Sequence, residues 1–93
     1  MGRYATMAFV RAKHATLERS RERTVVRDRD GHATTLTPTG ALVWDLLERP
    51  MDVSELVTQL ATYFPDADPV TLQIDVGQFL SAMRDAGLVV ETG

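Results

Sequence analysis

The chain has no cysteine, which excludes disulfide staples and thiolate metal sites and fits a reducing cytosol. No apolar run approaches the roughly 20 residues that cross a bilayer, and the N-terminus lacks the apolar core of a signal peptide. The two histidines, His14 and His32, lack the further ligands at defined spacing that a zinc site needs. Asp28-Arg29-Asp30-Gly31 begins like a calcium loop but has no closing glutamate at the required spacing. Glycine-rich phosphate loops are absent, and Ser20, Ser54 and Ser81 stand in no strained elbow that would mark a nucleophile. Asp66 and Asp68 read as helix-end carboxylates. The expectation is a non-enzymatic, cytoplasmic protein with no cofactor, no metal and no membrane partner.

What is present is enough for one domain. The chain has 93 residues, 44% of them hydrophobic, so it can build a core with little stability to spare. We expect residues 1–93 to form a single domain with a flexible leader over 1–6. That leader happens to match a Gly2 myristoylation pattern, a short motif that recurs by chance. The net charge of −3 hides an asymmetry: residues 1–29 carry eight basic groups against three acidic ones, and the rest carry two arginines against ten carboxylates. A basic β end sits on an acidic helical end, and a solvated surface is the default explanation.

Residues 7–13, 23–29 and 32–37 read as three strands, with 14–22 as a polar loop between the first two. Asp30-Gly31 marks a hairpin, because glycine takes positive φ and aspartate tolerates it. Helical spacing begins at Thr37-Pro38, a cap followed by proline at the first helical position, and predicts a helix over 38–49 with Trp44 buried beside the sheet. Asp52 and Glu55 have capping-box spacing and open a second helix over 53–64. Asp68-Pro69 starts a third over 69–86, with Leu72, Val76, Phe79, Leu80 and Met83 on its apolar stripe and Gly87 as a left-handed stop. The fold class is α+β, of winged helix-turn-helix type: a three-stranded antiparallel sheet followed by three helices. No strand is expected between residues 40 and 86.

Such a plan raises a small DNA-binding regulator as one reading. The third helix opposes it, because Arg84 is its one basic residue against Asp68, Asp75 and Asp85, and phosphate contacts need Lys and Arg. No nucleic-acid partner is therefore expected. The third strand, short and uncharged after His32, offers an edge to which another strand can add. Self-pairing of that edge predicts a homodimer of the empty protein.

"LTPTGALVWDLL" (36–47) resembles the start of the first helix in the PqqD-like family. "DVGQFLSAMRDAGLV" (75–89) is similar to that family's closing pattern, and the likeness runs over roughly residues 22–90. These domains are the RiPP recognition elements, which bind leader peptides of ribosomally made natural products, and the stand-alone form looks most like those of lasso-peptide pathways. The resemblance implies a precursor leader as ligand and a leader peptidase and a macrolactam synthetase as partners. A PqqD-type chaperone for another modifying enzyme is the alternative. It also implies that the leader lies antiparallel along the third strand (His32, Ala33, Thr34, Thr35, Leu36), facing the third helix. At 100° per residue Asp75, Phe79, Ala82 and Ala86 share one flank of that helix, and Val76 and Met83 beside them complete the expected wall. Thr37 stands where asparagine is usual, and Ala33 and Thr34 replace the bulky aromatics often seen in the third strand.

Overall fold

A computed structural model describes residues 7–92; the expectations for residues 1–6 lie outside them. The elements run β1 (Ala8–Arg11), β2 (Thr16–Arg19), β3 (Thr24–Arg27), β4 (Ala33–Leu36), α1 (Pro38–Leu46), β5 (Met51–Asp52), α2 (Val53–Tyr63), α3 (Pro69–Asp85) and β6 (Val89–Thr92). They form two antiparallel sheets, β2-β3-β4 and β5-β1-β6.

The expected three-stranded sheet ahead of three helices is therefore present, with a different membership. Its first strand comes from residues read as a loop: Thr16–Arg19 pairs with β3, and the earlier strand Ala8–Arg11 leaves to pair with β5 and β6. β5 also corrects the expectation of no strand between 40 and 86. Phe9↔Met51 and Ala8↔Asp52 are its only register pairs, and two residues carry no periodicity to read.

The helix starts lie where the sequence places them. Thr37 Oγ1 accepts from the Gly40 N–H at 3.0 Å, and Asp68 Oδ2 accepts from the Thr71 N–H at 3.2 Å. Asp52 and Glu55 form a reciprocal box, with bonds of 2.8 and 2.9 Å. Each satisfies an N–H that the helix itself cannot. α1 stops short of residue 49, and the Leu47 carbonyl beyond it accepts from the Arg11 N–H of β1 at 3.1 Å. α3 closes on Gly87 at φ +77. There the Gly87 N–H reaches Arg84 O at 2.9 Å and the Leu88 N–H reaches Met83 O at 2.9 Å, the paired bonds of a Schellman stop.

Val43 and Trp44 from α1 and Leu47 just beyond it meet Leu56 and Leu60 from α2 and Leu72, Val76, Leu80 and Met83 from α3 in one core. Trp44 is 1% exposed, with the Arg11 guanidinium 5.7 Å from its ring centre. Val26 and Leu36 bring the β2-β3-β4 sheet into the same core. Arg19 of β2 donates to both carboxylate oxygens of Asp45 on α1, at 2.8 and 2.9 Å. No helix among the described residues is long and apolar enough to cross a membrane.

Candidate functional site

Among the described residues, β4 is hydrogen-bonded on one side only. Its hairpin with β3 turns through Asp28–His32: the Gly31 N–H donates to Asp28 O at 3.1 Å and the Asp28 N–H to His32 O at 3.0 Å. Gly31 alone takes positive φ, at +87, while Asp30 does not. The expected tolerance of aspartate for that region is thus not used. The turn is a three-residue one with glycine at the bulge.

This turn fixes which main-chain groups face outward. Asp28 and His32 form a hydrogen-bonded pair, and such pairs alternate along an antiparallel ladder. With Arg27↔Ala33, Val26↔Thr34, Val25↔Thr35 and Thr24↔Leu36 in register, Thr34 and Leu36 spend their N–H and C=O groups on β3. Ala33 and Thr35 turn theirs to the free edge. Side chains alternate too: Leu36 is buried and Thr34 half-buried, while Ala33 and Thr35 are exposed. His32 departs from the expectation for it. Its carbonyl accepts from Asp28 and its N–H donates to Asp28 Oδ1 at 2.9 Å, so its main chain belongs to the turn and offers no free donor at the edge.

Beyond the end of β4, a pocket of about 330 Å³ opens between the first turns of α1 and the middle of α3. Thr37, Thr39, Gly40 and Val43 form one side, and Asp75, Val76 and Phe79 the other. Phe79 is half-buried and packs against the core, Asp75 is exposed, and Val76, 1% exposed, forms the floor. Three expected wall residues, Ala82, Met83 and the exposed Ala86, lie outside the pocket lining. Met83 is 2% exposed and sits inside the core, because it falls on the stripe facing the other helices. Ala82 is exposed and outside the pocket lining. The residues sequence reading missed are Thr37, Thr39, Gly40 and Val43. A glycine in the first turn of a helix, where it weakens the helix, was the available signal.

The resulting groove has a hydrogen-bonding strand edge leading into an apolar pocket with hydroxyls and one carboxylate at its rim. It suits an extended peptide that pairs by its main chain and buries one apolar side chain. The one group of metal-ligating side chains among the described residues is Asp28, Asp30 and His32, with ligand atoms within 4.8 Å of one another. Asp28 Oδ1 there accepts from the Asp30 and His32 N–H groups, both at 2.9 Å. Burial raises the Asp28 pKa, but the main-chain donors His32 and Asp30 and the nearby His32 imidazole outweigh it and hold the carboxyl below its ordinary value. The cluster explains itself as a turn.

The family model of Coenzyme PQQ synthesis protein D (PqqD) matches residues 22–89. No curated protein matches the chain. Three solved structures share its fold. "TbiB1 in Complex with the TbiA(beta) Leader Peptide" superposes with a TM-score of 0.74 at 21% identity, over 86% of this chain and 93% of that one. "Lasso peptide synthetase B1 complexed with the leader peptide" gives 0.74 at 17% identity, over 88% and 96%. The PqqD truncation of Methylobacterium extorquens PqqCD, described as a stand-alone RiPP recognition element, gives 0.75 at 16% identity, over 89% and 88%. With the PqqD model covering most of its length, the chain belongs to the PqqD family.

Proposed function

We propose that the chain binds the leader segment of a ribosomally synthesised precursor as a strand added antiparallel to β4. It would then present that precursor to a leader peptidase and a macrolactam synthetase of a lasso-peptide pathway. The observation that carries this reading is the free edge of β4 running into a pocket walled by Phe79 and Asp75. Ala33 and Thr35 supply main-chain bonds that any sequence can satisfy, and the pocket supplies the choice of side chain. Two of the solved structures that share the fold are described as holding leader peptides. On this reading residues 1–93 act as one recognition domain in the cytoplasm and do no chemistry themselves. A PqqD-type carrier for a different modifying enzyme is a second reading, favoured by the likeness to the PqqD truncation; it uses the same groove and differs only in the enzyme served. A duplex-binding regulator finds no support, since Arg84, the sole base of α3, donates to Glu91 Oε1 at 2.7 Å.

The test is calorimetric titration with the leader of the precursor encoded beside this chain, into wild type and Phe79→Ala. A hot-spot anchor contact is worth about 2–4 kcal/mol, so the variant should bind at least tenfold more weakly while circular dichroism shows it folded. Equal binding by a folded variant would remove the pocket from the mechanism. No binding by wild type would remove the leader.

A further inference from the structure

The apolar pocket does not account for everything at the end of β4. Thr35, Thr37 and Pro38 also face the turn between β2 and β3, across a cleft of about 360 Å³ rimmed by Arg21 and Arg23. Ser20 holds that turn: its N–H donates to Arg23 O at 2.9 Å, and its Oγ accepts from the Arg23 N–H at 3.3 Å. Two guanidinium groups are thus carried on a tied turn. Ion pairs among the described residues engage Arg11, Arg19, Arg27 and Arg84 and include neither Arg21 nor Arg23. Glu22 is the one carboxylate lining the cleft.

Resting on the reading that a peptide adds to β4, we infer that this cleft selects an acidic side chain on that peptide. Arginine beside threonine hydroxyls and a strand edge suits a carboxylate, which accepts charge-assisted bonds from the guanidinium fork. Antiparallel addition lays the N-terminal half of the peptide past Thr37, where the cleft lies. Successive side chains of a strand point to opposite faces. Those facing α3 meet the apolar pocket and Asp75; those on the Thr35 face meet Arg21 and Arg23. Asp75 repels an acid from the first face, so the preference belongs to the second alone. The acid therefore stands an odd number of residues from the anchored apolar side chain.

A random 16-residue peptide library displayed on its own mRNA tests this, selected against wild type and against the double variant Arg21→Glu, Arg23→Glu. Both positions are exposed, and circular dichroism checks the fold. Wild type should enrich Asp or Glu at odd spacing from the anchor, and the variant should enrich Lys or Arg there with the same anchor. Replacing the acid of one selected peptide by Gln should weaken wild-type binding up to about fivefold at low salt, the range for partly exposed ion pairs. The difference should shrink in about 1 M salt, where the screening length falls to about 3 Å. A pool that binds wild type and is lost with Thr35→Pro, yet shows no acid preference or keeps it after charge reversal, overturns the inference and leaves the strand-edge reading standing. No enriched pool, or one indifferent to Thr35→Pro, overturns the strand-edge reading and this inference with it.

Discussion

A Cβ built on Gly40 would stand 2.9 Å from Cε1 of Phe79 and 3.2 Å from Thr37 Oγ1. The pocket therefore depends on the absence of one methyl group. Gly40→Ala should gain up to about 1 kcal/mol of helix propensity and lose about 1–3 kcal/mol to overpacking. The expected net result is a destabilisation of about 1 kcal/mol in denaturant unfolding, with peptide affinity reduced several-fold as the ring is pushed into the pocket. Adding Phe79→Leu should recover the stability. If Gly40→Ala binds peptide like wild type, the ring position does not shape the site.

Adjacent prolines in β4 should behave oppositely. The Thr34 N–H is spent on Val26, so Thr34→Pro removes a ladder bond and should melt well below wild type. The Thr35 N–H faces the free edge, where proline is tolerated. Thr35→Pro should melt within a few degrees of wild type and lose at least tenfold in peptide affinity. Matching melting temperatures for the two variants would show the register to be assigned the wrong way round.

The Asp28 carboxyl, held below its ordinary value, predicts an acid-sensitive hairpin. A depressed carboxylate contributes stability that is fully present above its unfolded value of about 3.9 and is lost as pH falls through its lower folded value. Below about pH 4, amide signals of Asp30, Gly31 and His32 should move together with the Asp28 side chain in a magnetic-resonance titration. An Asp28 midpoint at or above 3.9 would contradict the two main-chain donors.

An empty edge is an adhesive one. Two copies should pair through β4 at high concentration, and saturating peptide should return the mass in light scattering to that of one chain with its ligand. A dimer unmoved by peptide would have to use another surface.

Much of this architecture is written in short-range signals. Thr37-Pro38, Asp52 with Glu55, and Asp68-Pro69 announce their helices because a cap depends on three or four neighbouring residues. β2 escaped notice because Thr16–Arg19 is an edge strand with three exposed positions and only Leu17 half-buried, so no alternation survives. The four residues of β6 are too few to show a period, and the division into two sheets rests on pairings that no local window contains. The same limit applies to the site. The flank of α3 with Asp75 and Phe79 follows from helical periodicity and the edge of β4 from a short strand uncharged after His32, whereas the part played by Gly40 needs the third dimension. Met83 was misplaced because a stripe and its flank differ by a small rotation.

The division into two sheets also sets an order of assembly. β2, β3 and β4 are joined by two tight turns, so their ladder closes small loops and can form early. β1 and β6 join residues 84 positions apart, as in the Thr92 hydroxyl bond to Ala8 O, and that closure must wait until the helices between them have folded. Reversed in time, the same asymmetry lets the three-stranded ladder open without unzipping the terminal pair, as cooperative units of different stability do. Amide exchange should be faster at Thr34 and Leu36 than at Val10 and Val90, which makes the peptide-facing ladder the first part of the molecule to breathe.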